Sequence, residues 1–228
     1  MITLPTDNGR YRNCIHCTWN IRVRQQKTVR LHFEQFDLGE GDWVKVYDGS
    51  KSKTTEIIRW DSYASPVDVV SSGQRMVVEF RSNACEEKSG IRAVMERNSC
   101  GSLIRLPNSK KRFIRSPNYP RFYPSNADCL WTVVGTQDLL SARVNIHTLQ
   151  TENGKDIVTI RDTLAQENAN VTKHFGTVES VGFNVKNSPG ISIIFRSDVS
   201  VNGFGFKISL SSSSDGIQVT ACGFVKRL

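Results

Sequence analysis

The chain has 228 residues, 38% of them apolar and 23% charged, with 30 Lys and Arg against 22 Asp and Glu for a formal net charge of +8. That composition excludes a disordered chain, and the length suits two domains of about 110 residues, each able to bury its own core. No apolar run approaches the roughly 18 residues a membrane span requires, so none is expected in this segment.

In chain order, Val29, Leu31 and Phe33 alternate with polar neighbours, as do Val44 with Val46, and Met76 with Val78 and Phe80. The second half repeats the pattern at Val144/Ile146, Val158/Ile160 and Ile191/Ile193/Phe195. Period-two runs bounded by Gly, Asn, Asp and Ser predict half-buried strands, hence an all-β chain of antiparallel sandwiches without helices.

The two halves are copies. Cys17-Thr18-Trp19 returns as Cys129-Leu130-Trp131, Asp42 to Asp48 aligns with Asp156 to Asp162, and Phe80-Arg81-Ser82 returns as Phe195-Arg196-Ser197. Cys100-Gly101 is echoed by Cys222-Gly223, after a serine-rich stretch that reads as a linker. The expected units are 1–97, lacking its first strand, 98–212, and 213–228, a linker with the start of a truncated third repeat. Met1 reads as an internal start, since nothing near it has the order of a secretory signal.

The segment Ser116 to Trp131 holds Pro117, Pro120 and Pro124 and two tyrosines, then runs into Cys129-Leu130-Trp131. Proline fixes φ and removes backbone donors, so this piece must wrap an edge before pairing begins near Cys129. Cys100 lies 29 residues upstream and offers a staple. A cysteine, an SPNYP-x-x-YP segment and Cys-x-Trp together resemble the opening of a CUB domain, the extracellular β-sandwich of complement proteases, astacin-type metalloproteases, neuropilins and cubilin.

The resemblance implies a Cys100–Cys129 disulfide, which on the chain-entropy account would destabilise the unfolded state by roughly 3.6 kcal/mol. It also implies a secreted or cell-surface location, consistent with such bridges. The family's second disulfide is missing, because Trp43 and Lys155 stand where its first cysteine would be. Cys14 and Cys85 could pair, or Cys17 with Cys85 leaving Cys14 free. Cys14-x-x-Cys17 has no second pair to make a zinc or redox element. Asn170-Val171-Thr172 is a glycosylation sequon, with Asn170 the acceptor.

Many CUB domains bind Ca²⁺ at one end of the sandwich, and the second copy matches that pattern. Glu152 takes the glutamate position, Asp156 and Asp198 the aspartates, and Tyr123 the supporting tyrosine, while Ser200 and Asn202 can add oxygens. Converging carboxylates repel, and a hard cation with six to eight oxygen ligands relieves this. The departures are a short loop between Glu152 and Asp156 and the lost disulfide. In the first copy Gly39 replaces the glutamate, Glu40 follows it, Asp42 remains and Asn83 replaces the late aspartate, so no Ca²⁺ is expected there.

The family uses this end to capture a basic side chain of a protein ligand, and the expectation is a non-catalytic extracellular binding module. An alternative is the substrate-positioning region of an astacin-like or complement-like protease. Lys110, Lys111 and Arg112, with Arg105 and Arg115 nearby, form a basic run that would suit a heparan-like polyanion in a matrix component. No nucleic-acid recognition motif accompanies the charge. His16, His32, His147 and His174 stand apart from any nucleophile signature, with His32 and His147 expected to face solvent.

Overall fold

The computed structural model describes residues 1–24, 27–52, 55–107, 110–136, 140–163 and 171–212. Residues 213–228, assigned above to a linker and third repeat, lie outside the described residues, as does Asn170. Among the described residues every regular element is a strand.

The first sandwich faces the sheet Ile2–Thr3, Gly90–Asn98, Thr28–Asp37, Val69–Val70 against the sheet His16–Arg22, Arg75–Arg81, Trp43–Asp48, Glu56–Asp61. The second faces Leu103–Leu106, Asp128–Gly135, Ile191–Arg196, Ile157–Asp162, Val171–His174 against Arg112–Arg115, Gly205–Ser212, Leu140–Gln150, Thr177–Ser188. All pairings are antiparallel except that of Leu103–Leu106 with Asp128–Gly135. The repeat extends to register. Val78 is opposite Trp19 on one side and Val46 on the other, as Ile193 is opposite Trp131 and Ile160.

The alternating residues form the cores. Val29, Leu31, Val44, Val46, Met76, Val78 and Phe80 share one buried cluster, and Val144, Ile146, Val158, Ile160, Ile191, Ile193 and Phe195 the other. Each such side chain contributes about 1.5–3 kcal/mol by leaving water. His32 and His147 are exposed, as strand parity requires.

The two sandwiches are not independent beads. Leu103 and Val134, from the outer face of the second unit's larger sheet, join the first unit's apolar cluster. Beside them Val70 N donates to Thr132 Oγ1 at 2.9 Å and Leu103 N donates to Ser71 O at 3.2 Å. Arg30, buried, spans the junction, its guanidinium 2.6 Å from Asp68 and 2.8 Å from Asp128. Desolvation opposes its charge, but the two carboxylates outweigh this and hold its pKa above the ordinary value.

Cys100 and Cys129 are disulfide-bonded, with Cα atoms 4.6 Å apart. Neither alternative for the first unit's cysteines forms: Cys14, Cys17 and Cys85 carry free thiols. Cys14 sits in a left-handed turn at φ 56° with its N–H on Asn83 O, and Cys85 gives its N–H to Asn83 Oδ1. Asn83 thus ties both backbones while both cysteines stay exposed. Cys17 is half-buried against the first core, and burial raises its thiol pKa.

Candidate metal centre

The proline-rich segment wraps the end of the second sandwich and delivers Tyr123 into it. Tyr123 N donates to Gly203 O at 3.2 Å, and its ring lies edge-on to Phe195, centroids 5.0 Å apart. The close fit depends on Gly205 at φ +82°, where an added Cβ would collide with Ser116 Oγ. Ser116 Oγ accepts from Phe206 N at 3.1 Å, so the strand after the site is fastened to the wrapping segment.

Asp156 is the hinge pin. It is fully buried, and its Oδ2 accepts the Tyr123 hydroxyl at 2.6 Å while its Oδ1 accepts Asp198 N at 2.8 Å. The Tyr123 oxygen in turn accepts Glu152 N at 3.2 Å. Burial first, then the Asp156 bond, raises the Tyr123 pKa, so the phenol remains the donor. The short loop that threatened to displace Glu152 closes instead as a turn, with Asp156 N on Glu152 O at 3.2 Å and Thr151 Oγ1 on Asp156 O at 2.9 Å.

One carboxylate oxygen from each of Glu152, Asp156 and Asp198 lies within 4.8 Å of the other two. Ser200 joins them, its hydroxyl 2.8 Å from Glu152 Oε2 and 2.7 Å from Asp198 Oδ1. Asn202 does not point its amide at this cluster but exchanges hydrogen bonds with Ser125 at 3.0 and 3.2 Å. Lys155 Nζ stands 3.2 Å from Glu152 Oε1 and 3.9 Å from Asp198 Oδ2, a tethered cation on the acidic rim. The Glu152 contact above all raises the Lys155 pKa. Ser200, through its hydroxyl and backbone N–H, holds Asp198 below the usual carboxylate value, with Lys155 adding to this.

The first sandwich keeps the frame and the Asp42 carboxylate, but Gly39 and Asn83 stand in place of the other two. Tyr11 OH donates to Asp42 Oδ2 at 2.5 Å and accepts Gly39 N at 2.7 Å, and Asp42 Oδ1 accepts Asn83 N at 2.7 Å. Asn83 turns its amide onto Glu40 O at 2.6 Å. A side chain at Gly39 would collide with Glu86 O, so no glutamate fits there without backbone movement. Sequence reasoning named Asp42 and Asn83 but missed Tyr11. The signal was present, because Tyr11 precedes Tyr123 by 112 positions, the same offset as Trp19 and Trp131.

Lys110, Lys111 and Arg112 are exposed at and before the edge strand Arg112–Arg115. Arg115 and Lys207 flank Phe113, 5.9 and 5.1 Å from its ring centroid.

The CUB domain profile matches residues 2–94 and again 100–210. The chain belongs to the CUB domain family. Human cubilin is 30% identical over 217 residues, covering 90% of this chain, and mouse tolloid-like protein 2 is 29% identical over 217 residues, covering 91%. This chain spans only 6% of the length of cubilin and 21% of the tolloid-like protein. The CUB1-EGF-CUB2 structure of human MASP-1/3 aligns over 93% of this chain and 98% of its own, with 18% identity and a TM-score of 0.41. In both CUB domains a buried tyrosine donates its hydroxyl to a buried aspartate, Tyr11 to Asp42 and Tyr123 to Asp156.

Proposed function

We propose that the chain is a non-catalytic extracellular binding module whose second CUB domain takes up Ca²⁺ and uses it to hold a basic side chain of a protein ligand. The observation that carries this reading is the convergence of Glu152, Asp156 and Asp198 oxygens within 4.8 Å. Three hard anionic donors suit Ca²⁺, with Ser200 and backbone carbonyls available to raise the oxygen count. Tyr123 would act as support, fixing Asp156 and positioning Glu152 through its backbone. Ca²⁺ supplies the charge that lets three acids face one another. The rim carboxylates then accept a lysine ammonium or arginine guanidinium of the ligand in place of Lys155, with affinity built up through tandem domains.

Ca²⁺ titrated calorimetrically into the full chain should give one site with Kd of about 10⁻³ to 10⁻⁴ M or tighter, abolished in Asp156→Ala. No heat and no thermal shift in the wild type would sink the metal reading. The single disulfide among the described residues supports the extracellular placement.

A second reading is favoured by the exposed row Lys110, Lys111, Arg112 and Arg115, joined by Lys207 across Phe113. These cations could hold a heparan-like polyanion. Heparin retention that falls steeply with salt, and is lost on neutralising Lys110, Lys111 and Arg112, would support it. A role as the substrate-positioning region of a protease is compatible with either surface, and a protease domain in the parent reading frame would decide it.

A further inference from the structure

Each sandwich carries a pair of cations on an aromatic ring, and the two pairs are built to one plan. On Trp43–Asp48, Lys45 follows Trp43 by two positions and shares its face of the sheet, and Arg59 stands directly opposite Lys45 on the edge strand Glu56–Asp61. Lys45 Nζ and the Arg59 guanidinium lie 5.3 and 5.5 Å from the centre of the Trp43 ring. On Arg112–Arg115, Arg115 follows Phe113 by two positions and Lys207 stands opposite Arg115, the two charges 5.9 and 5.1 Å from the Phe113 centroid. An aromatic face orients a cation and leaves its charge standing, whereas a carboxylate would cancel it.

Arg105 joins the two pairs. It lines a cleft of about 730 Å³ between the sandwiches together with Lys45, Lys51 and Arg59, and it lines a second hollow with Arg112 and Phe113. Its Nη2 donates to Glu56 O at 3.1 Å, which fixes the side chain across the seam. The acids along this row leave it positive. Glu56 Oε2 is 2.8 Å from Lys45 Nζ, Glu79 pairs with Lys51, and Asp48 accepts from Ser72 N and Oγ at 2.8 and 2.6 Å. Among the described residues no carboxylate pairs with Arg59, Arg105, Arg112, Arg115 or Lys207, so these cations outnumber the one acid, Asp48, that lacks a basic partner.

We infer that Arg59, Arg105, Arg112, Arg115 and Lys207 form a track for one sulfated glycosaminoglycan chain that crosses the seam and touches both sandwiches. This rests on the second reading above and extends it, since the basic run of the second domain becomes one end of a surface that continues into the first. A sulfated chain repeats fixed anions along its length, which matches cations spread over two domains. Single-stranded nucleic acid calls for bare aromatic faces on which bases stack, and Trp43 and Phe113 already hold cations.

The test is heparin binding by the full chain, measured by surface plasmon resonance over a series of salt concentrations. The wild type should bind with a steep salt dependence. Arg59→Gln/Arg105→Gln, both outside the Lys110 to Arg112 run, should weaken heparin at least fivefold and lower the slope of log Kd against log salt by about one to two. Should that variant melt below the wild type, Arg59→Gln alone, at an exposed position, serves instead, with a loss of at least twofold expected. Wild-type binding that neither variant changes would overturn the track and leave the Lys110, Lys111 and Arg112 surface standing. No heparin retention by the wild type would bring down the underlying reading itself. Desulfated heparin, single-stranded DNA or polyglutamate competing as well as heparin would overturn the assignment to a sulfated chain.

Discussion

Lys155 places its ammonium 3.2 Å from Glu152 Oε1, so the acidic rim already holds a cation supplied by its own loop. A metal ion approaching Glu152 and Asp198 must displace that contact. Lys155→Met is therefore expected to tighten Ca²⁺ binding about two- to fivefold, the range of a solvent-exposed ion pair. Titration calorimetry checks it, and an unchanged Kd would mean that Lys155 swings clear at no cost.

Asp156 carries two hydrogen bonds that a neutral amide cannot reproduce, because one of its oxygens becomes a donor facing the Tyr123 hydroxyl or the Asp198 N–H. Asp156→Asn should cost roughly 1.5–3 kcal/mol, and the melting temperature should fall by roughly 5–15 °C. Tyr123→Phe removes the hydroxyl's bond to Asp156 and the one it accepts from Glu152 N but keeps the Asp156 charge, so it should cost about 1–2 kcal/mol, less than Asp156→Asn. Differential scanning calorimetry of the two variants separates these outcomes.

Acid should act through Asp198. Its folded pKa lies below the ordinary value, through Ser200 first and then Lys155, so its contribution to stability is present above about pH 4 and is lost as pH falls through the folded value. The wild-type melting temperature should therefore drop more steeply than that of Asp198→Asn as the pH is taken below about 4. Parallel curves would remove the effect.

At the junction of the two domains, Arg30 is buried between Asp68 and a half-exposed Asp128. Arg30→Ala leaves the largely desolvated Asp68 with only His32, whose Nδ1 is 2.6 Å from Asp68 Oδ1, as a side-chain partner, at a cost of up to about 3 kcal/mol after allowing for the exposed side. The expected readout is separation of one melting transition into two. Arg30→Met, which keeps the aliphatic packing, should perturb the junction less.

The parts legible in the sequence were those carried by periodicity and by spacing. Val44/Val46 and Ile191/Ile193/Phe195 declare their strands because side chains alternate across a sheet, and the three prolines before Cys129 declare the wrapping segment. Glu152, Asp156 and Asp198 could be named only through the resemblance, since they come from different loops. Less legible was anything set by side-chain direction. Cys14 and Cys85 looked ready to pair, yet a left-handed turn and the amide of Asn83 settle their backbones without a bridge. Arg30 meets Asp128 across 98 positions of chain, which no local pattern announces. Lys155 was noted only as the residue replacing a cysteine, and in space it repays that loss by sitting on the rim the cysteine would have braced.

Leu103 and Val134 belong by sequence to the second sandwich and by packing to the first. Cutting the polypeptide between the repeats would strip the first sandwich of part of its own lid, exposing a greasy scar on each half. The tandem is thus a single mechanical piece: bending at the seam would require wetting those side chains, so a force applied to either sandwich is carried into the other.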